Sequence, residues 1–160
     1  MSVFKKLSDV LEVAVRIERQ GVELYNKLHN TVESSKAKDL FSFLAAEEEK
    51  HIGVFRQILE KVSDYAPRFD YPGEYGLFLD GVVSRLLDKV KKAGKSLSAE
   101  NTNEALDVGI DLEKETILFY SELDLEGRFN PPERGILKKV INEERSHWQR
   151  LANLKNKIKF

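Results

Sequence analysis

Apolar positions along this chain recur at intervals of three and four and never alternate over any length, which is the spacing of one helix face rather than of a strand. Four long stretches carry the pattern. The first runs from Ser8, a candidate N-cap, to Asn30, with the inward stripe Leu11, Ala14, Glu18, Gly21, Tyr25 and Leu28. The second runs from Ser35 to Val62, with Phe41, Leu44, Glu48, His51, Phe55, Ile58 and Val62 on its stripe. The third spans Thr102 to Leu125 and aligns Leu106, Gly109, Glu113, Thr116, Tyr120 and Leu123. The fourth opens at Asn130-Pro131-Pro132-Glu133, a cap residue followed by prolines and an acid in the first turn. It continues nearly to Phe160, with Leu137, Val140, Glu144, His147, Leu151, Leu154 and Ile158 on one side.

A handful of polar residues joins the first stretch to the second, which makes them antiparallel neighbours. Residues Asp64 to Tyr75 are rich in Tyr, Pro, Asp and Gly and are predicted to be irregular. From Leu77 to Lys92 a shorter amphipathic helix is predicted (Leu77, Phe78, Val82, Leu86, Leu87, Val90), ended by Gly94 and placed to cap a bundle or form a subunit contact. The expected fold is all-α: one domain over 1–160, with helical hairpins 8–62 and 102–159 and a long connection 63–101 between them.

The two hairpins repeat each other. Ile17-Glu18 with Leu24-Tyr25 aligns with Leu112-Glu113 and Phe119-Tyr120, and Glu47-Glu48-Glu49-Lys50-His51 aligns with Glu143-Glu144-Arg145-Ser146-His147. Each half therefore reads lone Glu, then Tyr, then Glu-x-x-His. Set across a pseudo-twofold axis, such hairpins bring both half-sites to one central point.

Composition narrows the chemistry. The chain has 160 residues, enough for a real core, and a formal net charge of −1, with lysines and arginines scattered rather than gathered into a nucleic-acid stripe. It has no cysteine, which excludes disulfides, zinc ribbons, iron–sulfur clusters and thiol catalysis. No apolar run is long enough for a membrane span, and the first residues lack the apolar core of a secretion signal. A soluble, cytoplasmic protein is the expectation.

Glu-x-x-His alone is a weak signal, since it also occurs on solvated faces. Position changes its meaning. Glu18, Glu48, Glu113 and Glu144 fall on apolar stripes, where an unpaired carboxylate costs several kcal/mol. His51 and His147 are the only cations those stripes offer, whereas two divalent ions would balance four carboxylates with neutral imidazoles. A carboxylate-rich set with only two histidines suits iron or manganese. Tyr25 and Tyr120 read either as core aromatics or as donors to ligand carboxylates. Gly21, Gly109 and Thr116 either permit close packing or leave room at the site. Glu47, Glu49, Glu115 and Glu143 flank these positions but point elsewhere on the helical wheel, so most of them are expected to be solvated. His29 is off the stripe and reads as a surface residue, and Trp148 as a helix or subunit contact.

The combined pattern Glu18…Tyr25, Glu48-x-x-His51, Glu113…Tyr120, Glu144-x-x-His147 resembles the rubrerythrin-like branch of the ferritin-like di-iron carboxylate proteins, and it spans all four long helices. The resemblance implies a ferritin-like four-helix bundle holding two iron ions, with manganese as the alternative metal. It implies that Glu48 and Glu144 bridge, that Glu18 and His51 serve one ion, and that Glu113 and His147 serve the other. It implies an oxidoreductase that reduces peroxide or dioxygen. Ferroxidation or iron binding without turnover is the second function, and a structural module with degenerate sites is the third. Rubrerythrins proper add an iron site held by four cysteines, which this chain lacks, so a separate electron donor is expected. They also carry a further glutamate where this chain has Thr116. Chain length, near-neutral charge and the amphipathic insert suit a homodimer.

Overall fold

The computed structural model describes residues 7–63, 81, 84–86, 88–89, 91–92, 101–125 and 129–158. Four long helices account for most of them: α1 (Leu7–Thr31), α2 (Ser35–Ser63), α3 (Thr102–Leu125) and α4 (Pro131–Ile158). No strand occurs among the described residues. No helix there is long and apolar enough to cross a membrane.

Local chemistry sets the helix starts. Ser34 caps α2: its Oγ accepts the Ala37 N–H at 3.3 Å and its carbonyl accepts the Lys38 N–H at 2.9 Å. Asn101 caps α3 in the same way, with Oδ1 accepting the Glu104 N–H at 3.1 Å. At α4 the Asn130 carbonyl accepts the Arg134 N–H at 2.8 Å, and Pro131 and Pro132 occupy a first turn whose N–H groups have no intrahelical partner to lose. The cap expected at Ser8 is corrected: Ser8 lies inside α1, which already includes Leu7.

Packing is most extensive within the hairpins α1/α2 and α3/α4, which meet through α2 on α4 and α1 on α3. Cross-hairpin contacts run in opposite senses along the chain. Glu18 meets Tyr120 while Tyr25 meets Glu113, and Glu47 meets His147 while His51 meets Glu143. Both cross-hairpin pairs are therefore antiparallel, which leaves α2 and α3 pointing the same way. The end of α2 and the start of α3 therefore lie at opposite ends of the bundle, as in the ferritin-like topology.

The core is apolar along the whole bundle except at its middle. Tyr25 stacks on Phe41 with ring centroids 6.0 Å apart, and Tyr120 lies against Phe55 at 5.2 Å. In the connection, the described residues between 81 and 92 are helical. Leu86 is fully buried there, while Arg85 and Lys89 reach Glu115 on α3. The predicted irregular stretch Asp64 to Tyr75, and Leu77, Phe78, Val82, Leu87, Val90 and Gly94 of the predicted insert, lie outside the described residues.

Candidate metal centre

Seven polar or charged side chains are buried among the described residues: Glu18, Glu48, His51, Glu113, Thr116, Glu144 and His147. Six of them converge. Glu18 comes from the middle of α1, Glu48 and His51 from α2, Glu113 from α3, and Glu144 and His147 from α4. One turn after Glu18, Gly21 leaves the space in which Glu48 lies: a Cβ there would stand 3.3 Å from Glu48 Cγ.

Two overlapping groups form. Glu18, Glu48, His51 and Glu144 bring potential ligand atoms within 4.8 Å of one another, and so do Glu48, Glu113, Glu144 and His147. Glu48 and Glu144 belong to both, and each directs one oxygen to each histidine. Glu144 Oε1 is 3.1 Å from His51 Nδ1 and its Oε2 is 2.9 Å from His147 Nδ1. Glu48 Oε2 is 3.3 Å from His51 Nδ1 and its Oε1 is 4.0 Å from His147 Nδ1. Glu18 Oε2 faces His51 at 3.4 Å, and Glu113 Oε1 faces His147 at 3.8 Å.

The tyrosines close the carboxylate shell. Tyr25 donates its hydroxyl hydrogen to Glu113, and Tyr120 donates to Glu18. Burial first, and the adjacent glutamate next, raises both phenols well above their usual pKa, so they stay donors.

Electrostatics show a pocket short of positive charge. Burial, then repulsion from Glu144, pushes Glu48 and Glu113 well above the usual carboxylate range. Burial, then Glu18, pushes Glu144 up as well. Burial opposes ionisation of Glu18, yet contacts from Glu48, His51 and Tyr120 outweigh it and lower its pKa. For His51, burial is overcome by Glu144, Glu18 and Glu48, so its pKa rises far above the ordinary value, whereas burial lowers that of His147.

Hydrogen bonding is incomplete at the same point. Glu113 Oε2 and Glu144 Oε1 are buried without a hydrogen-bond partner. Buried acceptors left in this way are destabilising unless something else satisfies them. A hard cation with oxygen and imidazole ligands does so, and these residues fit one on either side of the Glu48–Glu144 pair.

The flanking glutamates correct the sequence reading. Glu49 is exposed, as expected, but Glu47, Glu115 and Glu143 are only partly so. Glu143 Oε2 lies 2.9 Å from His51 Nε2, and Glu47 Oε2 lies 3.9 Å from His147 Nε2. The signal was present as a repeated Glu-Glu-x-x-His frame, its first glutamate conspicuous only once the halves are superposed. Thr116 is buried beside the site. His29 Nδ1 meets the Lys38 carbonyl at 2.9 Å, away from the carboxylates. Trp148 is exposed, with Lys114 Nζ 5.4 Å above its ring.

The rubrerythrin family model matches residues 9–155. The chain belongs to the rubrerythrin family. No curated protein and no solved structure matches it. In this rubrerythrin-family chain the matched span includes all six converging residues and both tyrosines. Its carboxylate and histidine clusters are able to bind metal, and they fit a di-iron protein.

Proposed function

We propose that this chain is a di-iron oxidoreductase that reduces peroxide or dioxygen, with Glu18, Glu48, His51, Glu113, Glu144 and His147 as ligands. The observation that carries the reading is the sharing of Glu48 and Glu144 between two four-residue groups, each with its own terminal glutamate and histidine. Two carboxylates common to two sites are what holding two ions close together requires. Four carboxylates also match the charge of two divalent cations.

Bound iron would supply the electrons for breaking the oxygen–oxygen bond. The residues do the rest. Glu48 and Glu144 hold the two sites together, while Glu18 with His51 and Glu113 with His147 close the ends. Tyr120 and Tyr25 fix the terminal carboxylates. Phe41 and Phe55, fully buried against the tyrosines, keep water from that side. Reduction of one peroxide to two waters consumes two electrons and two protons, the electrons coming from a separate donor.

Oxidation of iron(II) itself is the second reading, favoured by Thr116 where rubrerythrins carry a further glutamate. Metal analysis tests the site: two iron or manganese ions per chain are expected, and failure to reconstitute removes both readings. Rapid mixing of the iron(II)-loaded protein separates them. Fast oxidation by peroxide with turnover under reductant supports peroxide reduction, and slow peroxide oxidation without turnover supports iron oxidation.

A further inference from the structure

Building on this dinuclear reading, we propose that Glu143 and Glu47 are positioning residues for the two histidines, each supplied by the opposite hairpin. We propose further that Lys50 makes the half-sites unequal by drawing Glu47 away from His147. A neutral imidazole has one N–H and one lone pair. His51 turns Nδ1 towards Glu144, Glu48 and Glu18, at 3.1, 3.3 and 3.4 Å. Its other nitrogen, Nε2, meets Glu143 Oε2 at 2.9 Å. A carboxylate there holds the proton on Nε2, frees the Nδ1 lone pair for an ion and fixes the ring plane.

The pseudo-twofold carries His51 onto His147 and Glu143 onto Glu47, so the same contact is due on the other side. It is stretched there. His147 Nε2 stands 3.9 Å from Glu47 Oε2, beyond hydrogen-bond range. The cause lies one residue before each histidine, where the first hairpin has Lys50 and the second has Ser146. Lys50 Nζ holds Glu47 Oε1 at 2.5 Å, whereas Lys139 Nζ approaches Glu143 no closer than 4.0 Å. Serine cannot reach back in this way. His51 is thus aimed before an ion arrives, and His147 is not. Glu47, Glu143 and His51 all line one groove between α2 and α4, so the two positioning contacts lie beside solvent.

The half-site of Glu18 and His51 therefore takes the first ion, and that of Glu113 and His147 the second. Titration of the full metal-free chain with cobalt(II), followed by calorimetry and visible absorption, tests this. Wild type is expected to bind two ions in two resolved steps. Glu143→Ala is expected to weaken the tighter step by ~10–100-fold, and Glu143→Gln, which keeps an acceptor oxygen, to restore part of that loss. Glu47→Ala is expected to change the weaker step by less than Glu143→Ala changes the tighter one. Lys50→Ser, which releases Glu47, is expected to bring the two steps together. Two-ion binding with the tighter step unchanged in Glu143→Ala overturns the positioning role and leaves the dinuclear site standing. Equal effects of Glu143→Ala and Glu47→Ala, with none from Lys50→Ser, overturn the asymmetry. No cobalt binding by wild type overturns the dinuclear reading and this inference with it.

Discussion

Tyr120 on α3 donates its hydroxyl hydrogen to Glu18 on α1, across the junction of the two hairpins. Tyr25 makes the reciprocal bond to Glu113. In Glu18 the other oxygen, Oε2, faces His51; in Glu113 Oε1 both accepts from Tyr25 and faces His147, and Oε2 has no partner. A single phenol thus orients a buried carboxylate and ties one hairpin to the other.

Tyr120→Phe removes the donor while keeping the ring against Phe55. Metal affinity is expected to fall by ~10–100-fold, the usual loss when a ligand's supporting hydrogen bond goes. The metal-free fold should persist. Competition with a chelating dye measures the loss, and an unchanged affinity would show that Tyr120 is only a core aromatic.

Gly109→Ala should destabilise the bundle although alanine is the better helix former. The added Cβ would lie 3.2 Å from both Leu151 methyl carbons and 3.3 Å from Tyr25 Cε1. Overpacking of a filled core costs about 1–3 kcal/mol, against a helix-propensity gain of about 1 kcal/mol. A lower Tm is expected, and a raised one would mean that Leu151 has room to retreat.

Stability of the metal-free chain should fall as pH rises above the ordinary glutamate value of 4.5. Glu48, Glu113 and Glu144 have raised pKa values when folded, so above that value the native state holds more protons than the unfolded one. Their stabilisation is complete below 4.5 and is lost as pH rises through the folded values. His51, also raised, acts in the same direction above 6.5, while the lowered His147 acts in the opposite direction below 6.5. Glu48→Gln mimics the protonated carboxyl and should flatten the fall in stability above pH 4.5 in thermal melts. An unchanged slope would place the buried protons elsewhere.

Metal loading should reverse that penalty. Ions replace the protons that Glu48, Glu113, Glu144 and His51 hold, so binding should release protons, and calorimetry in buffers of different ionisation enthalpy counts them. At a free concentration of about 100 times Kd, the folded state gains about 2.7 kcal/mol for each site filled. Removal with a chelator should return Tm to its starting value. A Tm that ignores both additions would contradict binding at the buried cluster.

The secondary structure was legible because it is local. Three- and four-residue spacing marked all four long helices within a residue or so of their observed ends, and only the Ser8 cap was misplaced. The six converging residues were legible for a related reason: charges on apolar stripes stand out against their neighbours, and the same frame occurs twice. Glu47 and Glu143 were read as solvent-facing because one helix alone places them about 100° from Glu48 and Glu144, on a flank that faces water unless another helix covers it. Glu115 was read likewise, since its partners Arg85 and Lys89 come from the connection.

The order of residues along each helix thus determined what would be buried, because burial follows the periodicity of a single element. Which groups meet depended on the antiparallel placement of α2 against α4 and of α1 against α3. Only that arrangement sets Tyr120 on Glu18, Glu143 on His51, and Glu47 opposite His147. Contacts between residues 92 to 102 positions apart depend on register and rotation between helices, and no spacing within one helix contains that information.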